Sequence, residues 1–287
     1  MTEQKIVALI YDFDKTLATN DMQGFKFIPD LGMTENEFWS LTSRFSEENH
    51  CEKILSYLYV MMIECKKKGI ALTEEYLNSL GAYVQYYEGV LTWFDRINAY
   101  GKEKGVIVEH YIISSGNREI IKGTKIADKF NKIFACNYVY DKNGIACWPK
   151  MIINYTSKTQ CLFRICKGVL DIREDDKVNE KIEKKHVEFS NMIYIGDGIT
   201  DIPCMTLIKE RGGLSIAVYK SGNAQTANPL VFDKRVDASV TADYRDGSKL
   251  DKLVKNKKTT ILIKIVVLIS LIILYRIFYL QHRQDQA

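Results

Sequence analysis

Three apolar, β-branched runs in this chain lead into small polar or acidic residues, and this pattern limits the fold more than any other feature. The runs cover residues 4–11, 106–116 and 191–198. Continuous apolar runs of this length are typical of strands that are buried on both faces of a sheet. Amphipathic segments between such runs predict helices, and strands that alternate with helices form parallel sheets. We therefore expect an α/β fold with a parallel sheet and helices on both faces.

The alternation is interrupted just after the first strand, where residues 19–105 are mostly helical in pattern. Four helices are predicted there, at 34–48, 50–68, 73–87 and 89–104. We interpret this block as an inserted helical cap, and residues 1–18 and 106–248 as the α/β core. The other predicted elements are a helix at 117–130, a strand at 132–140, its hairpin return at 145–148, a helix at 157–170 and a strand at 212–219.

Charge and cysteine content exclude several classes of protein. The 287 residues carry a formal net charge of +4, but residues 249–287 alone sum to +6, so the remaining chain sums to −2. A nearly neutral body does not indicate a nucleic-acid-binding face. The seven cysteines are scattered and form no CxxC pair, which argues against a disulfide framework or a zinc site.

Asp12 and Asp14 directly follow the first predicted strand. Side chains alternate in an extended chain, so both carboxylates point to one side at the carboxyl end of the strand, where open α/β sheets bind ligands. Two carboxylates this close repel each other unless they share a cation or a proton. The pair therefore indicates metal binding or a division into acid and base, while turn-forming carboxylates are the plain structural alternative.

Two further segments bring polar groups to the same edge of the sheet. Ser114, Ser115 and Gly116 end the second predicted strand, where a hydroxyl and free backbone N–H groups can hold phosphate oxygens. Asp197 and Asp201 lie in the segment GDGITD after the third strand and add two more carboxylates. The glycines of that segment allow a tight turn close to a ligand.

Lys158 begins the predicted helix at 157–170, where a fixed ammonium and the helix N-terminus can stabilise phosphate charge. Lys150, which follows Pro149, is the alternative lysine. Four carboxylates at one edge make a hard-oxygen site that suits Mg²⁺. With lysine and serine the site suits phosphoryl transfer, in which positioning and charge stabilisation dominate.

In chain order, the segments DFDKT, SSG, a lysine and GDGITD resemble the motifs of the haloacid dehalogenase (HAD) superfamily of hydrolases. The motifs cover residues 6–219, about three-quarters of the chain. Each is weak alone, but all four in order, each after a strand or at the start of a helix, form a specific pattern. The resemblance implies a Rossmann-like core, hydrolysis of a small phosphorylated substrate, and Mg²⁺ as the cofactor.

The resemblance also implies a role for each position. Asp12 would be the nucleophile that forms an aspartyl-phosphate, and Asp14 the acid/base that protonates the leaving oxygen and later activates water. Mg²⁺ would be held by the Asp12 side chain, the Asp14 backbone carbonyl and Asp197, with Asp201 as a ligand or as a support for the ligands. The other implied positions are Thr16 as a brace of the nucleophile loop, Ser114 (or Ser115) on phosphate, and Lys158 as the neutralising cation.

The insert between Asp14 and Ser114 resembles the helical cap of the phosphoserine-phosphatase branch. Asp21 lies where that branch carries a substrate-sensing acid, although a plain loop acid is the alternative. The chain has no good match to the cap arginine motif of that branch, which argues against phosphoserine as the substrate. An acid at Asp14 separates the chain from the true dehalogenases, and the DKTGT signature of P-type ion pumps is absent.

The C-terminal residues 259–280 are apolar nearly all round. As a helix of twenty-two residues they would span about 33 Å, which matches a bilayer core. A basic linker at 249–258 precedes them with five lysines, and the positive-inside rule places this side in the cytoplasm. We expect a single-pass membrane anchor with the catalytic domain facing the cytoplasm. A helix docked on the protein or lying in the interface is the alternative, and a docked helix would leave a cytoplasmic protein.

The sequence therefore predicts a membrane-tethered, Mg²⁺-dependent phosphomonoesterase. A phosphotransferase or mutase with the same covalent intermediate is one alternative. A membrane-tethered binder of phosphorylated ligands that lacks turnover is the other, although pure binding needs no acid/base at Asp14. The natural substrate does not follow from the motifs, because the cap selects it.

Overall fold

The computed structural model of the chain describes residues 4–226 and 228–256. A seven-stranded sheet with the order β4-β3-β2-β1-β5-β6-β7 forms its centre. The strands are β1 Lys5–Tyr11, β2 Val106–Asn117, β3 Lys132–Tyr140, β4 Ala146–Met151, β5 Met192–Gly196, β6 Leu214–Tyr219 and β7 Ala238–Thr241. Every neighbouring pair is parallel except β3 with β4, which is an antiparallel hairpin. The predicted α/β fold with a mostly parallel sheet is confirmed.

Helices connect these strands, and five of them lie between β1 and the helix that leads into β2. The helices are α1 Met22–Phe25, α2 Phe27–Asp30, α3 Glu35–Glu48, α4 Lys53–Lys68, α5 Glu74–Leu80, α6 Val90–Glu103, α7 Arg118–Lys122, α8 Ser157–Lys167, α9 Asp175–Asn179, α10 Ile202–Glu210 and α11 Asn228–Phe232. Thr34 caps α3 in a reciprocal capping box with Glu37. Gly69, at φ 67°, ends α4 in the left-handed conformation that glycine adopts without strain.

Two predicted helices are shorter than expected, because they meet each other through glycines. The helix predicted at 73–87 ends at Leu80, and the one predicted at 117–130 ends at Lys122. A Cβ added to Gly123 would lie 1.7 Å from the Asn78 carbonyl oxygen, and one added to Gly81 would lie 2.3 Å from the Gly123 carbonyl carbon. The two backbones therefore touch at these glycines, and tertiary packing overrides the helical pattern.

A buried chain of hydrogen bonds fixes the end of β1 against α6. Trp93 Nε1 donates to the Tyr11 hydroxyl over 2.8 Å, and that hydroxyl lies 3.0 Å from Nδ1 of His110. Burial lowers the pKa of His110 to about 3, so its ring is neutral and its Nδ1 accepts from Tyr11. The His110 Nε2 atom then donates to Asn98 Oδ1 at 2.9 Å. The residue that precedes Asp12 is thus held by a network in which every bond has a defined direction.

The two neighbouring β2 residues His110 and Glu109 point to opposite faces of the sheet. His110 packs on Phe94 of α6, whereas Glu109 binds His186, which lies beside the end of α8. Helices therefore cover both faces. Since α6 packs on the sheet, we propose that the helical insert ends before Val90 rather than at residue 105.

The segment predicted as a basic linker, 249–258, is helical over residues 249–256. Leu250 and Asp251 are buried in it, and Tyr100 of α6 donates its hydroxyl to the Lys255 carbonyl over 3.1 Å. We therefore propose that the folded body extends to residue 256. Across 4–226 and 228–256, none of the helices combines the length and apolar character that a membrane span needs. The anchor predicted at 259–280 lies outside the described residues.

Candidate active site

The three central strands bring the predicted motifs together at their carboxyl ends. β1 lies between β2 and β5, and Tyr11 is paired in register with Ile112 on one side and Ile195 on the other. The Asp12 backbone N–H continues this pairing by donating to the Ile195 carbonyl over 2.9 Å. Residues at the carboxyl ends of these strands and in the loops that follow them therefore meet at one edge, as the strand pattern predicts.

Asp12 is nearly fully buried at this edge, with 5% of its surface exposed. Its Oδ1 atom accepts a 2.8 Å hydrogen bond from the Phe13 backbone N–H and lies 3.2 Å from the Lys158 ammonium. Burial and the nearby carboxylate of Asp201 raise the pKa of Asp12 to about 7, while Lys158 opposes this shift. Both contacts engage Oδ1 and leave the second oxygen, Oδ2, for a ligand.

Lys158 is the cation at the centre of the site. It is fully buried in the first turn of α8, and its Nζ atom lies 2.7 Å from Asp201 Oδ1. Tyr194 donates its hydroxyl to the same oxygen over 2.7 Å. Burial disfavours the charged lysine, but Asp12 and Asp201 outweigh that effect and raise the pKa of Lys158. The alternative lysine, Lys150, is exposed on β4, so the structure brings Lys158 to the acids.

Three carboxylates form a cluster that could hold a metal ion within the described residues. Ligand oxygens of Asp12, Asp197 and Asp201 all lie within 4.8 Å of one another. The Oδ2 atom of Asp201 is buried and has no hydrogen-bond partner, which is costly unless a cation or a water satisfies it. Burial, Asp12 and Asp201 raise the pKa of Asp197 well above its ordinary value. Carboxylate oxygens that crowd in this way fit Mg²⁺, which supplies the missing positive charge.

Gly196 is needed for this close approach. A Cβ at Gly196 would lie 2.4 Å from Oδ2 of Asp201, so a larger residue would push that carboxylate away. The turn at Ile199–Asp201 returns the chain toward β5 and places Asp201 beside Tyr194. The first glycine of the GDGITD segment, Gly196, is therefore required because any larger side chain would collide with the Asp201 carboxylate.

The side chain of Asp14 does not belong to this carboxylate cluster. Its Oδ1 atom accepts a 2.8 Å hydrogen bond from the Met22 backbone N–H. Burial, Asp21 and Asp12 raise the pKa of Asp14 well above its ordinary value, so the protonated form is favoured. A carboxyl group that carries a proton can donate it to a leaving oxygen. Asp14 is thus suited to acid/base work, and its side chain is not placed as a ligand of the cluster.

Gly116 packs directly against the side chains of Asp14 and Met22. A Cβ there would lie 2.9 Å from Asp14 Oδ2 and 2.1 Å from the Met22 methyl group, so only glycine fits without a shift. Ser114, just before it, is buried, and its hydroxyl oxygen accepts a 3.0 Å bond from the Gly116 N–H. The Ser115 hydroxyl is buried without a partner, and the Ser115 carbonyl accepts from the Tyr57 hydroxyl of α4. Both serines lie at the site, and the choice between them stays a prediction.

Thr16 and Asp21 lie on the loop that follows Asp14. Thr16 is fully buried, its Oγ1 atom has no hydrogen-bond partner, and its carbonyl accepts a 2.9 Å bond from the Tyr244 hydroxyl. Asp21 precedes α1, and its carboxylate lies 2.7 Å from the ammonium of Lys15. Lys15, Tyr194 and Tyr57 also lie at the site and were not among the residues predicted for it. Of these three residues, only Lys15 lies in one of the motifs, DFDKT.

A family model described as Putative Phosphatase matches residues 7–253. A protein of Borreliella burgdorferi that is described as uncharacterized is 28% identical over 283 residues, which cover 88% of this chain and 97% of that protein. The pyridoxal phosphate phosphatase PHOSPHO2 of Bos taurus is 29% identical over 105 residues, which cover 37% of this chain and 40% of the relative.

Solved structures show the same fold at low sequence identity. A HAD family hydrolase of Salmonella enterica superimposes with a TM-score of 0.54 at 18% identity, over 86% of this chain and 69% of that one. A phosphoserine phosphatase with an analogue of its phospho-aspartyl intermediate has a TM-score of 0.53 at 16% identity, over 88% of this chain and 99% of that one. These likenesses concern the fold.

Proposed function

This chain belongs to the Putative Phosphatase family and is a HAD-like phosphatase, and we propose that it is a Mg²⁺-dependent phosphomonoesterase that works through an aspartyl-phosphate. The observation that supports this proposal best is the meeting of Asp12, Asp197, Asp201 and Lys158 within one largely buried cluster. The proposed substrate is a small phosphorylated metabolite, since the chain shares its fold with phosphoserine phosphatases.

In the first proposed step, Oδ2 of Asp12 attacks phosphorus, because Oδ1 is held by Phe13 and Lys158. The bond from phosphorus to the leaving oxygen breaks, and protonated Asp14 gives that oxygen its proton. In the second step a water attacks phosphorus and gives its proton to Asp14, and the bond to Asp12 breaks. Lys158 neutralises charge on the transferred group throughout.

A bound Mg²⁺ would supply positive charge to the phosphoryl oxygens and keep Asp12 ionised. The residues that would hold it are Asp12, Asp197, Asp201 and the backbone carbonyl of Asp14. Without a cation, the pKa of about 7 leaves Asp12 partly protonated near neutral pH, and a protonated carboxyl is a poor nucleophile. Asp12 therefore needs the bound cation to be fully ionised, and so nucleophilic, near neutral pH.

A screen of phosphorylated metabolites tests this function. With Mg²⁺ the full-length protein should release inorganic phosphate from at least one ester. The screen includes pyridoxal 5′-phosphate and phosphoserine, because this chain is similar to phosphatases that are named for those two compounds. Chelation by EDTA should abolish the release, and added Mg²⁺ should restore it, because the carboxylates repel one another without the ion. Activity that persists after chelation would refute the metal dependence. Transfer to an added alcohol with little free phosphate would indicate a phosphotransferase.

We also propose that residues 259–280 tether the enzyme to a membrane, on the strength of their apolar composition. The full-length protein should sediment with membranes at high salt and be released by detergent. A variant that lacks residues 259–287 should stay in the supernatant and keep its phosphatase activity. Sedimentation of that variant with membranes, under the same conditions, would rule out this segment as the anchor.

A further inference from the structure

Lys15 stands apart from the other charged groups of the site because it faces solvent. The Lys15 side chain is 47% exposed and that of its partner Asp21 is 24% exposed, whereas the Lys158 side chain is 1% exposed. A substrate whose phosphate reaches Asp12 must leave its other end toward solvent. That end, the leaving group, therefore passes the rim where Lys15 lies.

The backbone directs Lys15 to this place. Its φ of 54° lies in the left-handed region, which is strained for a residue that carries a Cβ atom. Partial burial disfavours the ammonium, but Asp21, Asp197 and Asp14 outweigh this and raise the pKa of Lys15. The Lys15 ammonium thus lies close to acids of the loop after β1 and of the GDGITD segment after β5. One of its three N–H donors reaches Asp21, which leaves two for a ligand.

Two lysine ammonium groups lie among the carboxylates of the site. Five carboxylates act on one another here, namely those of Asp12, Asp14, Asp21, Asp197 and Asp201, against the two ammonium groups of Lys15 and Lys158. Lys158 is enclosed and already bound to Asp12 and Asp201. Lys15 is thus the cation of this group that a leaving group can reach.

Building on the proposed phosphatase function, we propose that Lys15 is a specificity-determining residue, which favours phosphate esters whose leaving group carries a carboxylate or a second phosphate. An ammonium-bearing leaving group meets like charge at the same place and is disfavoured. Asp21 accepts a hydrogen bond from Lys15, so a substrate amine would have to displace that ammonium before it could bind Asp21. The pair thereby sets the charge of the preferred substrate.

The test compares three two-carbon esters that differ in terminal charge: phosphoglycolate, 2-hydroxyethyl phosphate and phosphoethanolamine. The full-length enzyme with Mg²⁺ should show the highest kcat/KM for phosphoglycolate and the lowest for phosphoethanolamine. Lys15→Met should reduce the ratio of these two values by about 10-fold, mainly through KM, as expected for a partly screened charge contact. Lys15→Arg should keep the preference, and Lys15→Glu should reverse it. For an ester that is not turned over, the inhibition constant against 4-nitrophenyl phosphate hydrolysis gives the same comparison.

The control is Lys142→Met, which removes the same charge from an exposed turn between β3 and β4 and should leave the ratio as in the wild type. All three Lys15 variants keep a side chain at the left-handed position, so backbone strain does not distinguish them. An equal loss for all three esters in Lys15→Met would overturn the inference and assign Lys15 to loop support alone. Absence of Asp12-dependent phosphate release from 4-nitrophenyl phosphate and from every ester of the metabolite screen would refute the proposed function itself.

Discussion

Replacement of Asp12 by asparagine should abolish phosphate release, with kcat falling by about 10⁴-fold or more. An amide oxygen does not form the covalent intermediate and is a weaker ligand for Mg²⁺ than a carboxylate. The amide has nearly the same shape, so the 2.8 Å contact with the Phe13 N–H can be kept. Hydrolysis of 4-nitrophenyl phosphate at saturating Mg²⁺ measures the loss.

The fold of the Asp12→Asn variant should be intact. The folded state raises the pKa of Asp12 to about 7, so the charged carboxylate is unfavourable there at neutral pH, and its removal should not lower the melting temperature without metal. Asp128→Asn, an exposed position away from the site, is the matched control and should keep full activity. Near-normal turnover by Asp12→Asn would show that another group attacks phosphorus.

Replacement of Lys158 by methionine should reduce both stability and activity. It would leave Asp201, which is fully buried, and Asp12 without their shared cation, and removal of one partner of a buried pair costs about 3–5 kcal/mol. The loss of the ammonium next to the transferred group should also lower kcat by about 10²–10³-fold. Urea unfolding and steady-state kinetics measure the two effects separately.

Lys150→Met is the matched control for Lys158→Met, because it removes the same charge from an exposed strand position and should change stability by less than about 0.5 kcal/mol. The double variant Lys158→Met with Asp201→Asn should regain part of the stability and none of the activity, since it removes one uncompensated buried charge. Equal stability of the Lys158→Met and Lys150→Met variants would contradict the proposed role of the buried pair.

The sequence predicted the edge of the sheet where the acids meet, because that prediction needs only strand ends and parallel neighbours. Asp12, Asp197 and Asp201 each follow a buried apolar run, and parallel strands bring such positions to one edge whatever the rest of the chain does. The antiparallel hairpin of β3 and β4 was also signalled locally, by the turn at Asp141–Gly144.

Other features depend on contacts that no local pattern carries. The shortening of α5 and α7 follows from the approach of Gly81 and Gly123, which are distant in sequence. The contact of Tyr194 with Asp201 requires the short turn that returns the chain beneath β5. The short strand β7 and the helices α1, α2, α10 and α11 were not predicted, since segments of four to nine residues give little periodicity.

The helix at residues 249–256 determines where the rest of the chain begins. Its first turns follow Tyr244, whose hydroxyl binds Thr16 at the site, and it then runs along α6 to Tyr100, near the start of β2. The seven residues of β1 separate the two edges of the sheet by about 23 Å. Residue 256, the last residue of this helix, therefore lies toward the end of the domain opposite to the carboxylates. A membrane that held the segment after residue 256 would therefore lie on the side away from the carboxylates. The active site would then stay accessible to phosphate esters in solution.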